Sequence, residues 1–244
     1  MPDYLYGRHA ILEALRAERP IEEILIARGV HSHGALSEIV TLAKTAGVPM
    51  HGIARDELDR MVQNHQGIVA RIPDFEYVDI EELLAVALAR GEPAFLLLLD
   101  SVQDPQNFGT LLRTAEAVGV HGVVIAERRA VGVTPAVVKT SAGAVHYLKI
   151  ARVTNLARTI EALKRANVWV IGIENTPEAQ DLARADFKIP LALVLGSEGE
   201  GLGRLVREKC DFLVRLPMWG KIESLNVAVA GSIVLFAAKM QRSA

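Results

Sequence analysis

The sequence predicts an α/β protein made of a small α/β module followed by a larger one built on a parallel sheet. Three observations carry that expectation. Apolar runs such as 94–99 and Leu191–Leu195 have nothing polar at alternate positions, as in strands buried on both faces. Such runs alternate with segments of helical period along the whole chain, the order of an α/β fold. Hydrophobic residues make up 50% of the 244 residues and aromatics only 5%, so the core is aliphatic.

The elements follow in order. In the first segment, 10–15 reads as an amphipathic helix, Glu23–Ala27 as a strand, and 36–46 as a helix that Gly47 closes. A strand over 48–53, a short helix over Arg55–Met61 and a strand over Ile68–Ile72, ended by Pro73, complete a module at 1–74. Residues 75–92 hold five acids against Arg90 alone and end in Gly91 and Glu92 before Pro93, which reads as an acidic, solvated linker whose middle, 80–89, has room for a short helix. The second module, 93–244, opens with the strand at 94–99. A polar loop over 101–109, a helix over 110–118 stopped by Gly119 and a strand over 121–126 follow. Next come a helix from about Pro135 to Ser141, a strand over 147–153, an amphipathic helix over 155–165 and a strand over 168–173. The strand Leu191–Leu195 then breaks into Gly196-Ser197-Glu198-Gly199-Glu200-Gly201-Leu202-Gly203, followed by a helix near 202–209. Its free N–H groups are expected to face the turn. A second apolar run, 212–218, leads to Gly220, and Ser224-Leu225-Asn226 stands at the mouth of the last helix.

Charge and cysteine usage narrow the function classes. The net charge is −2, with balances of −2 in 1–74, −4 in 75–92 and +4 in 93–244. The last fits a polyanion partner and an ordinary surface about equally. A lone Cys210 leaves no disulfide framework and no cysteine-based zinc site. Five histidines (9, 31, 33, 51 and 65) crowd the first segment at spacings that match no metal template, so no metal is expected. Asn64-His65-Gln66-Gly67 reads as a structural turn, with presentation of amides to RNA as the alternative. Asp3, Arg8, His9 and Glu13 break any apolar leader core, and 227–238 is too short to cross a bilayer, so a cytoplasmic protein is expected.

The glycine-rich turn is the candidate site. It has neither the register of G-x-G-x-x-G nor G-x-x-x-x-G-K-[ST], so it is no dinucleotide fingerprint and no P-loop. It suits a nucleoside-bearing cofactor without phosphates, its base held by backbone groups between Leu195, Leu216 and Leu225. Ligands of parallel sheets bind beyond the carboxyl ends of strands, which also brings in the 100–109 loop. There Asn107 is either a helix N-cap or a site residue. Arg113 lies off the apolar face of its helix, beside Thr110 and Ala117, and leans back toward the loop.

Asp100-x-x-x-Asp104-Pro105-x-Asn107-x-Gly109-x-x-x-Arg113, then Leu195-Gly196-x-Glu198-Gly199-x-Gly201, then Leu216-Pro217-Met218 with Ser224-Leu225-Asn226-Val227, occur in this order. Together they resemble the three motifs of the SpoU (TrmH) family of RNA ribose 2'-O-methyltransferases. The motif Tyr6-Gly7-x-His9-Ala10, the His65-Gln66-Gly67 turn and the length resemble its two-domain RlmB-type branch. Phe108, Trp219 and Lys221 depart from the usual pattern. The resemblance implies a C-terminal trefoil-knotted (SPOUT-type) domain that binds S-adenosylmethionine and a homodimer. It also implies an N-terminal ribosomal-protein-like RNA-binding domain and methylation of a guanosine ribose in 23S ribosomal RNA. Carried over by residue, it makes Asn107, Arg113, Glu198, Ser224 and Asn226 catalytic. Leu195, Gly196, Gly201, Leu216, Met218 and Leu225 then bind the cofactor. Ser224 also suits a plain N-cap. A transfer-RNA methyltransferase and a non-catalytic RNA-binding assembly factor of the same fold are the alternatives.

Overall fold

The computed structural model describes residues 3–30, 33–222 and 224–243; His31 lies outside them. The chain divides into two compact units, one of residues 1–76 with 133–147, the other of 77–132 with 148–244.

The first unit holds β1 (Asp3–Tyr6), α1 (Arg8–Arg16), β2 (Glu23–Ala27), α2 (Ala35–Thr45), β3 (Met50–Ile53), α3 (Arg55–Met61) and β4 (Ile68–Ile72). Its four-stranded sheet runs β1-β4-β2-β3, with β4 antiparallel to both neighbours and β2 parallel to β3. Leu5, Ile11, Ile24, Leu36, Ile39 and Ile68 are fully buried and form its core. His65 is a structural turn residue: its Nδ1 accepts the Gly67 N–H at 3.0 Å and its Nε2 meets Asp59 at 2.9 Å.

The second unit opens with α4 (Ile80–Arg90), then β5 (Phe95–Leu99), α5 (Pro105–Ala117) and β6 (Gly122–Ala126). After α6 (Pro135–Thr140), whose segment packs in the first unit, it resumes with β7 (Ile150–Val153), α7 (Leu156–Arg165), β8 (Trp169–Ile173) and the two-residue β9 (Gln180–Asp181). It ends with β10 (Leu191–Leu195), α8 (Arg204–Lys209), β11 (Phe212–Arg215) and α9 (Val227–Ser243). All seven strands are parallel, in the order β7-β6-β5-β10-β8-β11-β9. The two central strands, β5 and β10, are buried at every position, as their unbroken apolar runs require.

Three local expectations are corrected. Residues 105–109 are helix rather than loop, because Asp104 accepts the Asn107 N–H at 2.8 Å as N-cap and Pro105 takes the first helical position, where a missing N–H costs nothing. Residues 80–90 are not a solvated connection. Leu83 and Ala87, one turn apart on α4, are buried in the core of the second unit, and Gly122 leaves the space that Leu83 fills. Residues 133–147, expected within the second module, pack in the first unit. There Arg19 donates to the His146 carbonyl at 3.0 Å and Tyr147 to Glu13 at 3.0 Å.

Candidate active site

The site sits at the carboxyl end of the central strand. After Leu195 the chain folds back on itself: Ser197 N–H donates to the Gly201 carbonyl at 3.0 Å and Gly201 N–H to the Ser197 carbonyl at 3.2 Å. Two glycines make this bend possible. A Cβ on Gly196 would lie 2.2 Å from the Gly201 carbonyl group, so two backbone segments touch where no side chain fits. Gly201 has φ +66° and lies against the Glu174 carboxylate.

Glu174, just past β8, fixes the bend from below. Its Oε1 accepts the Leu202 N–H at 3.2 Å, and Arg207 faces it with Nη2 2.6 Å from Oε1 and Nε 2.6 Å from Oε2. Asp100, just past β5, accepts the Gly203 N–H at 2.8 Å. The N–H groups of Leu202 and Gly203, expected to be free for a ligand, are thus taken by two carboxylates from neighbouring strands. Charge-assisted bonds of this kind hold a loop more firmly than neutral ones. The pairing raises the Arg207 guanidinium above its ordinary value, chiefly through the hydrogen bond to Glu174. Cys210 takes no part: burial pushes its thiol up to about 12, which keeps it protonated and inert.

Above the bend opens a cavity of about 1140 Å³. Every residue assigned to the cofactor by resemblance lines it: Leu195, Gly196, Gly201, Leu216, Met218 and Leu225. So do Glu198, Ser224 and Asn226. Apolar side chains of Leu195, Leu216, Met218 and Leu225 alternate with exposed backbone of the bend. That combination suits an adenine ring and a thioether-like chain better than phosphates.

Asn226 organises the polar mouth. Its Oδ1 caps α9, accepting the N–H groups of Ala228 at 2.9 Å and Val229 at 3.3 Å. This fixes the orientation of the amide, so both hydrogens of Nδ2 point the other way. They go to Asn107 Oδ1 at 2.9 Å and to the Glu198 carboxylate. Motif residues 119 and 28 positions away from Asn226 therefore meet at one side chain. Two open choices are decided here. Asn107 is not the cap of α5, and Ser224 is not the cap of α9.

Arg113 is the exception. It is exposed on α5, carries no hydrogen bond or ion pair among the described residues, and is not part of the cavity wall of its own chain. Sequence reasoning also passed over Glu174, Asn175 and Thr176, which line the cavity. Their signal was available: they directly follow the buried strand β8, at its carboxyl end. Among the described residues no cluster of His, Cys, Asp and Glu could hold a metal, and no helix is long and apolar enough to cross a membrane.

Comparison with known proteins agrees with this geometry. Residues 94–236 match the SpoU rRNA Methylase family, and residues 4–78 match a module described as RNA 2'-O ribose methyltransferase substrate binding. The chain is 43% identical over 242 residues to the TrmH family tRNA/rRNA methyltransferase YacO of Bacillus subtilis, covering 99% of this chain and 96% of the relative. Among solved structures it is similar to the SpoU methyltransferase AviRb of Streptomyces viridochromogenes in complex with AdoMet. The identity is 25% and the TM-score 0.82, with 98% of this chain and 90% of that one covered. The TrmH/SpoU tRNA modifying enzyme of A. aeolicus matches 62% of this chain and 76% of its own length, at 25% identity and a TM-score of 0.56. The family match spans more than half of the chain, and the relative from Bacillus subtilis is similar over nearly all of it: this protein belongs to the SpoU family of RNA methyltransferases.

Proposed function

We propose that this chain methylates the 2'-hydroxyl of a guanosine ribose in bacterial 23S ribosomal RNA, with S-adenosylmethionine as methyl donor, as a cytoplasmic homodimer. The observation that carries this reading is the meeting of Asn107, Glu198 and Asn226 at the mouth of an apolar, glycine-floored cavity. The donor supplies a methyl group already activated on a sulfonium. What remains for the chain is to bind, exclude water and orient an incoming hydroxyl. The backbones of Gly196, Leu216 and Leu225 hold the nucleoside, and Leu195, Gly201 and Met218 shape the pocket around it. Asn226 orders Glu198 and Asn107, and Ser224 contacts the nucleotide beside them. Arg113 positions the hydroxyl and neutralises the adjoining phosphate, acting by charge and geometry rather than as a base, since a guanidinium is a donor with no acceptor.

A second copy completes this site. Val229, Ile233, Phe236 and Met240 lie 48%, 42%, 51% and 72% exposed along one face of α9. Their spacing of four, three and four residues makes a continuous apolar stripe, which a lone subunit seldom leaves in water. Pairing through that stripe lets Arg113 of one copy serve the cavity of the other. The same reading includes the deep C-terminal knot; α9 packing on α5, with β10 between β5 and β8, supports it. It also assigns the unit of 1–76 with 133–147 to RNA binding and the unit of 77–132 with 148–244 to methyl transfer.

Ribosomal RNA is favoured over transfer RNA by the substrate-binding module, since the A. aeolicus tRNA enzyme matches only 62% of this chain. Incubation of unmodified 23S ribosomal RNA and unmodified transfer RNA with labelled S-adenosylmethionine tests it. Label in a 23S guanosine ribose is expected; label confined to transfer RNA would overturn the substrate assignment, and label in neither the enzymatic one.

A further inference from the structure

The loop between β11 and α9 carries a side chain that the site described so far does not use. Trp219 is 91% exposed. Tryptophan is the largest apolar side chain and is usually well covered, so one standing almost wholly in water calls for a partner. Its place is informative. Met218, Gly220, Lys221 and Ile222, its neighbours on both sides, line the cavity, and Ile222 is itself 66% exposed. The indole therefore stands at the rim of the cavity and not in its wall. A Cβ built on Gly220 would meet no residue beyond its chain neighbours within 4 Å, so the loop is open at this point.

The charges around it differ in kind. Of the three cations that line the cavity, Arg207 is paired with Glu174 and Arg215 with Asp181. Lys221, two residues from the indole, is exposed and has no ion-pair partner among the described residues. An open aromatic face beside an exposed ammonium matches the two ends of a nucleotide. A base stacks on the ring, and its phosphate meets the cation.

We propose that Trp219 is a stacking platform for an unpaired base of the RNA substrate next to the reacting ribose, with Lys221 meeting the adjoining phosphate. The inference rests on RNA being the substrate and on the cavity being the cofactor site. It adds a residue that selects and holds the target strand. Stacking on an indole needs no base-specific hydrogen bond, so Trp219 contributes affinity and strand placement, while base identity is read elsewhere.

The chain has two tryptophans, and the other, Trp169, is 49% exposed on β8 beside Phe212. Full-length Trp169→Phe protein therefore reports on Trp219 alone. The probe is whichever unmodified RNA, a 23S fragment or a transfer RNA, accepts methyl groups from the enzyme. A wrong RNA class then fails at methyl transfer, before fluorescence is read. Saturation with that RNA is expected to quench the indole emission by half or more. S-adenosylmethionine alone, or dilution until the dimer dissociates, is expected to leave it unchanged. Trp219→Ala is expected to raise KM for RNA about tenfold or more. In that variant kcat and cofactor affinity stay near normal, and Trp219→Phe recovers most of the loss. An unchanged KM in Trp219→Ala, quenching by the cofactor alone, or emission that follows dimer dissociation would each overturn the proposal. The last two would give the indole to the cofactor or to a second copy.

Discussion

The two sides of the site are built differently. On the bend side, Gly196 to Gly203, every strut comes from the same chain: Glu174 and Asp100 hold the backbone, Arg207 braces Glu174, and central strands fix all of it from below. On the α5 side the helix is held by packing on α9 and by the pairs Asn107–Asn226 and Thr114–Ser232, but its one cation is not tied in. Six residues beyond Asn107 on the same helix, Arg113 stands in solvent. Binding a cofactor asks for a preformed, rigid pocket, and one chain supplies it. Aligning a second reactant asks for a charge brought from elsewhere, and here the chain leaves a charge unspent. On the proposed function, the contrast separates residues that make the pocket from those that act on what enters it.

Mixing subunits probes that contrast most strongly. Arg113→Ala and Asn226→Ala chains, each nearly inactive alone, are expected to regain about one quarter of wild-type activity when co-assembled, because half the dimers then hold one intact site. A cis arrangement leaves the mixture as inactive as its parts, as assayed by methyl incorporation. Next in size is the dissection of Asn226. Asn226→Ala is expected to cost about 1 kcal/mol of stability through the lost cap and roughly a hundredfold in turnover. Asn226→Asp keeps the capping oxygen but loses both donors and faces Glu198 with like charge. Its melting temperature should stay close to wild type while turnover falls as in the alanine variant. Near-normal turnover in Asn226→Asp would mean that the side chain matters only as a cap. The smallest effect concerns the bend. In Gly196→Ala a methyl group meets the Gly201 backbone at 2.2 Å. Forced reopening at about 1–3 kcal/mol should weaken cofactor binding roughly tenfold to a hundredfold in calorimetry. Unchanged affinity would show that the bend is not where the cofactor sits.

Much of the fold was legible because burial on both faces leaves a plain mark: β10 is the Leu191–Leu195 run itself, and Glu23–Ala27 and Ile68–Ile72 were likewise read to the residue. Missed features had weaker or misread marks. β1 is four residues with no apolar alternation to announce it, and it exists because β4 offers an edge. The acids of 75–92 outweighed the single buried pair Leu83 and Ala87. The start of α5 was hidden by its polarity, although Asp104-Pro105 is a sound N-terminal signal. That 133–147 packs with the first unit is a tertiary fact with no local signature. For the site, spacing alone pointed to the glycine bend and to Asn107 as cap or site residue, and resemblance supplied the roles of Asn107, Glu198 and Asn226. No pattern in one dimension could show that a single amide joins all three, since its partners lie 119 and 28 residues away. Arg113 is expected from the sequence to lean back over the 100–109 loop, and within its own chain it lines no part of the cavity.

The division of labour between the two sides is tested most directly on one preparation of Arg113→Ala. Calorimetry with S-adenosylmethionine and methyl incorporation into RNA are measured on the same sample. Cofactor affinity within about twofold of wild type, with transfer reduced by roughly a thousandfold, is the predicted result. Near-normal transfer, or cofactor binding lost together with transfer, would contradict it.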